Sequence, residues 1–219
     1  APPRLVRGAR PLRALTYAEA AELAFFGAKV LDARTLEPVV GPSIPVTVRS
    51  TFAPADPGTV ITADVASTPG ARALAAVDPV SRLHLAGGTH GGSLPALLLA
   101  DGHLLAMVRA SMDRSWTAVL PTASAGPLVR QVRAADHDLA VSCTDGLSLV
   151  AVVGHEIASR PWVAGRALED LGRRGVPVDG VLAGTSRHAL CLLVPSDRLG
   201  EVPLGQGQVP HPVLPPRLE

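Results

Sequence analysis

The period of apolar and polar positions changes several times along the chain, and each change marks an element. Tyr17, Ala20, Ala21, Leu23 and Ala24 recur at helical spacing and make one apolar face. Thr16 and Glu19 stand before it at capping-box spacing, which predicts a helix starting at Tyr17. Gly27 falls near the helix end, where a left-handed residue needs no Cβ. Val46 and Val48 alternate with Thr47 and Arg49, which is strand spacing. Ala55-Asp56-Pro57-Gly58 predicts a turn, since proline presets φ and glycine accepts positive φ. Residues 63–73, with Ser67, Pro69 and Gly70, read as a linker.

From Leu74 onward, short strands and helices alternate. Leu83-His84-Leu85 reads as a strand and is followed by the glycine-rich stretch from Gly87 to Ser93. Ser93 can cap a short helix over 94–100. Strands are predicted over 103–111 and 116–122, a helix over 127–135 with Val129 and Val132 inward, and a strand over 138–143. That βαββαβ order predicts a ferredoxin-like sandwich of one sheet against two helices. A second copy follows at once, with a dense apolar strand over 147–153 and a helix over 161–174. That helix places Val163, Ala164, Ala167, Leu168 and Leu171 on one face. Strands over 176–182 and 189–194 complete what is present of it. Residues 196–219 are rich in proline and glycine and predict no helix, so the second copy is shortened.

Composition narrows the class. The chain has 219 residues, 47% hydrophobic and 18% charged, enough to build a core. Aromatics are only 3%, so that core must be Leu, Val and Ala. A formal net charge of +1, with no basic run or aromatic platform, points away from nucleic acid. The apolar runs are strand length, which predicts no membrane span, and no leader pattern opens the sequence. Cys143 and Cys191 lie in strand-like apolar stretches and read as buried thiols in a reducing, cytoplasmic compartment, with a single disulfide left open. The histidines show no paired ligand spacing, so no metal site is expected. Ser142, Asp145 and His155 have no triad spacing, and no G-x-S-x-G elbow exists.

The stretch from Thr16 to Thr59 closely resembles the end of the kinase domain of aspartokinases. The residues that carry the likeness are Tyr17, Glu19, Glu22, Leu23, Gly27, Ala28, Lys29, Val30, Leu31, Arg34 and Thr35. Pro38, Ile44, Pro45, Arg49, Thr51, Phe52, Pro57, Gly58 and Thr59 continue it. In that family the lysine and the residue after it contact the nucleotide, which implies nucleotide-binding roles for Lys29, the only lysine here, and Val30. Arg4 falls where the arginine of an upstream D-P-R that also contacts nucleotide is expected, while Pro2 replaces its aspartate. Asp32 and Ala33 stand where the family has histidine and proline. Read without the family, Lys29 is equally a solvated cation favoured by a helix C-terminus.

The remainder is similar to ACT domains, the amino-acid-sensing modules attached to aspartokinases. Val152 to Gly154, Val163 to Leu168 and Gly175 to Val178 carry that likeness. The resemblance implies an α/β (α+β) fold: a helix–strand piece of an amino-acid-kinase fold, then two ferredoxin-like ACT domains, the second shortened. The organisation expected is a kinase tail over 1–62, a linker over 63–73, and ACT-like units over 74–143 and 144–219. ACT units commonly contact their effector through the loop after the first strand, which makes Gly88, Gly91 and Ser93 the effector candidates. The residue-level alternative is a surface loop that fills a deletion.

The family's catalytic K-F-G-G loop has no counterpart, so the chain alone is expected to be inactive and to need no cofactor. ATP and magnesium enter only if another chain completes the site. Three functions follow. The first is a non-catalytic regulatory subunit or paralogue in aspartate-family amino acid (lysine) biosynthesis. Lysine or threonine would be its effector, and it would form a homodimer through ACT units or partner a catalytic chain. The second is a fragment or split half of a functional aspartate kinase, which turns ATP and L-aspartate into 4-phospho-L-aspartate. The third is an ACT-type protein with a different small-molecule ligand.

Overall fold

The computed structural model describes residues 11–28, 31–65, 70–87, 94–100, 102–110, 115–183 and 186–202. The chain opens with strand β1 (Ala14–Thr16) and helix α1 (Tyr17–Phe25). The predicted capping box is formed. Glu19 N–H donates to Thr16 Oγ1 at 3.2 Å, and Thr16 N–H donates to Glu19 Oε2 at 2.9 Å. Helix α2 (Glu37–Val40) and strands β2 (Val46–Val48) and β3 (Thr59–Thr62) follow. The three strands form one sheet in the order β1-β3-β2. The predicted turn between β2 and β3 is held by Asp56, which accepts from Arg13 at 2.5 Å and from the Gly58 N–H at 2.7 Å. Those two donors keep its carboxyl below its ordinary value. Gly58 has φ +79°, and a Cβ there would lie 2.2 Å from Val48 O, so only glycine closes the turn.

The second sheet has six strands: β4 (Ala73–Gly87), β5 (Ala106–Arg109), β6 (Trp116–Pro121), β7 (Leu139–Val153), β8 (Gly180–Ala183) and β9 (Ala189–Pro195). Their order is β5-β6-β4-β7-β9-β8. Helices α3 (Leu94–Ala100), α4 (Thr122–Ala135) and α5 (Pro161–Arg173) cover it. The elements β4-α3-β5-β6-α4-β7 make the expected βαββαβ unit. The second unit starts from the C-terminal half of β7 and continues through α5, β8 and β9. Its fourth strand position, on the other side of β7, is filled by the N-terminal half of β4, where Ala73–Val77 pairs with Leu149–Val153.

This sharing differs in detail from the pattern along the sequence. The short strand read at Leu83–Leu85 is the far end of β4, which begins at Ala73 next to the expected linker. The two strands read over 138–143 and 147–153 are one continuous β7, and the boundary expected between Cys143 and Thr144 falls inside it. The Asp145-Gly146 signal that separates them is a bulge, with Gly146 at φ +75°. Helix α4 starts five residues ahead of Pro127, which therefore lies inside the helix rather than at its start as expected. A 3-10 turn (Ser196–Glu201) follows β9.

Alternation sorts the apolar side chains into three layers. Leu149, Ala151 and Val153 of β7, with Ala189, Cys191 and Leu193 of β9, face an inner core. Val150, Val152, Leu190, Leu192 and Val194 face α5. Leu83, Leu85, Ala118 and Leu120 face α3 and α4. The sheet curls so that its edge strands β5 and β8 come within 8 Å, and both units contribute to the inner core. Phe26, at the end of α1, is fully buried in that core. Phe26→Ala is expected to cost about 3–5 kcal/mol, the range for a buried aromatic deleted from a packed core. Urea unfolding of the full chain measures it, and a loss below about 1 kcal/mol means that α1 does not dock there.

Candidate functional site

The site expected from sequence divides into a nucleotide edge and an effector loop. Arg4, Lys29, Val30, Gly88, Gly91 and Ser93 all lie outside the described residues, so the structure does not test their roles. What it describes is the frame on either side of each.

Helix α1 leads to the nucleotide edge. It ends in a left-handed Gly27 at φ +81°, with the Ala28 N–H donating to Leu23 O at 2.9 Å. Asp32, which stands where the resemblance expects histidine, is used locally. Its Oδ1 accepts the Arg34 N–H at 2.9 Å, and its backbone carbonyl accepts from the Thr35 hydroxyl at 2.6 Å. The carboxylate therefore caps the short turn Ala33–Thr35.

The start of α1 is clamped to the six-stranded sheet. Glu19 is fully buried and pairs with Arg72, whose Nη1 donates to Glu19 Oε2 at 2.9 Å and to Oε1 at 3.3 Å. Arg72 Nη2 donates to Ala14 O at 2.6 Å, and its backbone N–H donates to Val153 O at 2.9 Å. One residue thus ties β1, α1 and the end of β7 together immediately before β4. The chain reaches it through Gly70, whose carbonyl oxygen would lie 2.0 Å from any Cβ on Gly154. The capping box was legible in the sequence. Its third member, Arg72, was not, because it lies 53 residues away from Glu19.

Further along α1, Glu22 has a buried Oε2 with no hydrogen-bond partner among the described residues. It faces Cys191, whose thiol is pushed up to about 12 by burial and then by the Glu22 charge. The two cysteines differ from the sequence expectation of two buried thiols. Cys191 is buried, Cys143 is exposed, and both are free. Position 143 lies where β7 emerges beside its bulge, and the side chain donates to Asp145 Oδ1 at 3.3 Å. Partial burial and Asp145 raise the Cys143 thiol as well.

The segment expected from sequence to contact an effector lies between Gly87, at φ +75°, and α3. An open hollow between α3 and α4, lined by Leu97, Ala100, Gln131, Ala134 and Ala135, lies on that unit. Elsewhere, His155 and His188 have ring centroids 5.7 Å apart, and His188 Nδ1 accepts the Glu156 N–H at 3.3 Å. No group of three potential metal ligands occurs among the described residues. Asp145 accepts from the Ser81 hydroxyl at 2.5 Å.

Arg72→Met leaves the Glu19 carboxylate buried and unpaired, and is expected to cost about 3–5 kcal/mol in urea unfolding. Adding Glu19→Gln should recover part of that loss, since no buried charge then remains. At pH 8 a thiol reagent such as DTNB should label Cys143 in the native chain and reach Cys191 only on unfolding. Two native labels at one rate would contradict the burial of Cys191.

No family model matches the chain. Among curated proteins, the lysine-sensitive aspartokinase 3 of Escherichia coli is 29% identical over 214 residues, 91% of this chain and 46% of that protein. The chloroplastic bifunctional aspartokinase/homoserine dehydrogenase 2 of Zea mays is 28% identical over 213 residues, 89% of this chain and 23% of that protein. The chain thus spans less than half the length of these relatives. The crystal structure of E. coli aspartokinase III in complex with aspartate and ADP superposes with a TM-score of 0.75 at 28% identity. The match covers 93% of this chain and 47% of that one. The structure of the same enzyme with lysine and aspartate gives 0.71 at 29% identity, over 92% and 46%. The regulatory subunit of aspartate kinase from Thermus thermophilus, at 13% identity and TM-score 0.50, shares the fold over 61% of this chain and 94% of its own. Over nearly its whole length, therefore, this chain is similar to the aspartokinases, and within them to the part that carries the regulatory ACT units.

Proposed function

We propose that the chain is the amino-acid-sensing regulatory part of an aspartokinase-type protein, acting in aspartate-family amino acid biosynthesis. The observation that carries this reading is the likeness at 28–29% identity to E. coli aspartokinase III, which runs through both the α1 region and the six-stranded sheet. That enzyme has been solved with lysine, and its curated counterpart is described as lysine-sensitive. Lysine is accordingly the first effector to test and threonine the second. The loop holding Gly88, Gly91 and Ser93 is the proposed contact, with backbone N–H groups offered to the effector carboxylate. Pairing through ACT units makes the proposed assembly a homodimer or a partner of a catalytic chain, in the cytoplasm.

A second reading is supported by the intact α1 cap and its clamp. On that reading Arg4, Lys29 and Val30 form one edge of a nucleotide site that a kinase region supplied by the same protein or another chain completes, with ATP and magnesium. Phosphoryl transfer needs several charged groups at once, so this edge alone does not perform it.

Thermal unfolding of the full chain separates the readings. A ligand that binds only the folded state at a hundred times its Kd adds about 2.7 kcal/mol. For a chain of this size that raises the midpoint by about 5–10 °C. A rise with L-lysine or L-threonine, and none with magnesium-ATP, is the expected result. A rise with magnesium-ATP alone favours the second reading, and a flat response to all three overturns the effector reading.

A further inference from the structure

Both long strands carry the same short pattern. Asp78-Pro79-Val80-Ser81 lies in β4 and Asp145-Gly146-Leu147-Ser148 lies in β7, each an aspartate three residues ahead of a serine. The pairing register shifts at both. Val77 pairs with Leu149 and Val80 with Leu147, so β4 holds the extra residue there. Arg82 then pairs with Thr144, so the next extra residue is in β7. Each long strand carries one bulge, each bulge holds an aspartate, and the pair Val80–Leu147 sits between them.

Each aspartate reaches the serine of the other strand. Ser148 Oγ donates to Asp78 Oδ1 at 2.6 Å, and Ser81 Oγ donates to Asp145 Oδ1 at 2.5 Å. A second hydroxyl joins each cluster from the same place in its unit. Ser196, which follows Pro195 at the end of β9, lies 2.7 Å from Asp78 Oδ1 and 3.0 Å from Ser148 Oγ. Thr122, which follows Pro121 at the end of β6, lies 2.9 Å from Ser81 Oγ. Ser81 and Ser148 are fully buried, whereas both aspartates are exposed. The two clusters flank the Val80–Leu147 pair and occupy equivalent places in the two units.

Their position gives them a role beyond holding register. Strand β4 begins beside Arg72, which clamps α1, and ends at Gly87, where the proposed effector loop starts. The clusters lie midway, where both strands bulge and the sheet passes from one unit to the other. We propose that they are a paired hinge that fixes the angle between the two units and so couples the loop after β4 to helix α1. A buried hydroxyl that is either bonded or released gives such a joint two discrete arrangements rather than a continuous range. The regulatory use of the hinge rests on the effector reading above, but the hinge is tested without ligand.

Hydrogen exchange of the full chain reads the coupling. Asp78→Ala and Asp145→Ala remove exposed side chains, so the core is left intact, and Ser142→Ala, exposed on β7, is the control. Each aspartate variant should speed amide exchange in α1 and at the end of β4, residues 83–87, by about fivefold, the factor expected for one lost hydrogen bond of ordinary net strength. Helix α5 and the control variant should stay at the wild-type rate. Asp78→Asn and Asp145→Asn, which keep an acceptor oxygen, should stay close to it too. Faster exchange confined to the mutated bulge, or spread evenly over α5 as well, overturns the hinge. An L-lysine arm distinguishes the two proposals. Absence of any lysine-induced midpoint shift counts against lysine as effector, while the ligand-free exchange pattern alone decides the hinge.

Discussion

The antiparallel pairing of β4 with β7 is the constraint on which the rest of the structure depends. Each strand has fifteen residues, and each is divided between two units. The C-terminal half of β4 is the first strand of one unit, and its N-terminal half completes the other. Strand β7 has the same arrangement with the units exchanged: its C-terminal half opens the second unit and its N-terminal half completes the first. Neither unit has a full sheet without the other, so the two behave as one folded body. Between Leu149 and Val153, β7 has β4 on one side and β9 on the other, with α5 over one face and the inner core on the other. A strand enclosed in that way reads as a continuous apolar run rather than an alternation, which accounts for Leu149 to Val153.

Burial of charge sets the second constraint. Glu19 has no solvent access, and Arg72 and the Thr16 cap together satisfy both of its carboxylate oxygens there. The same guanidinium bonds the Ala14 carbonyl, so the path from β1 through α1 is fixed by one side chain of the segment leading into β4. Phe26 then seats the other end of α1 in the inner core. A helix pinned at both ends transmits the position of the sheet to whatever follows Gly27. That mechanical connection gives the likeness to aspartokinases a physical content beyond shared fold.

The capped helix, the Asp56 turn and the βαββαβ order were legible because each is written in local spacing. Thr16 to Glu19 spans one helical turn, and Pro57-Gly58 specifies its own backbone. The shared strands were not legible in the local spacing. Asp145-Gly146 reads as a stop, yet the strand passes through it, because a bulge and a turn use the same residues. Cys143 read as buried because its sequence neighbourhood is apolar, yet it lies in the half of β7 that β9 does not pair with, and it is exposed. The repeated D-x-x-S was visible as letters, but its pairing across strands was not.

The sequence by itself determined the family likeness, the local elements and the Leu, Val and Ala core, since these follow from periodicity, capping and motif. Only the tertiary structure decided that Arg72 neutralises Glu19, that Asp78 meets Ser148 while Asp145 meets Ser81, and that one inner core is built from both units and α1. Those contacts join residues 53, 70 and 64 positions apart. Nothing local encodes them, because strand register and sheet curvature are set only when both long strands are in place.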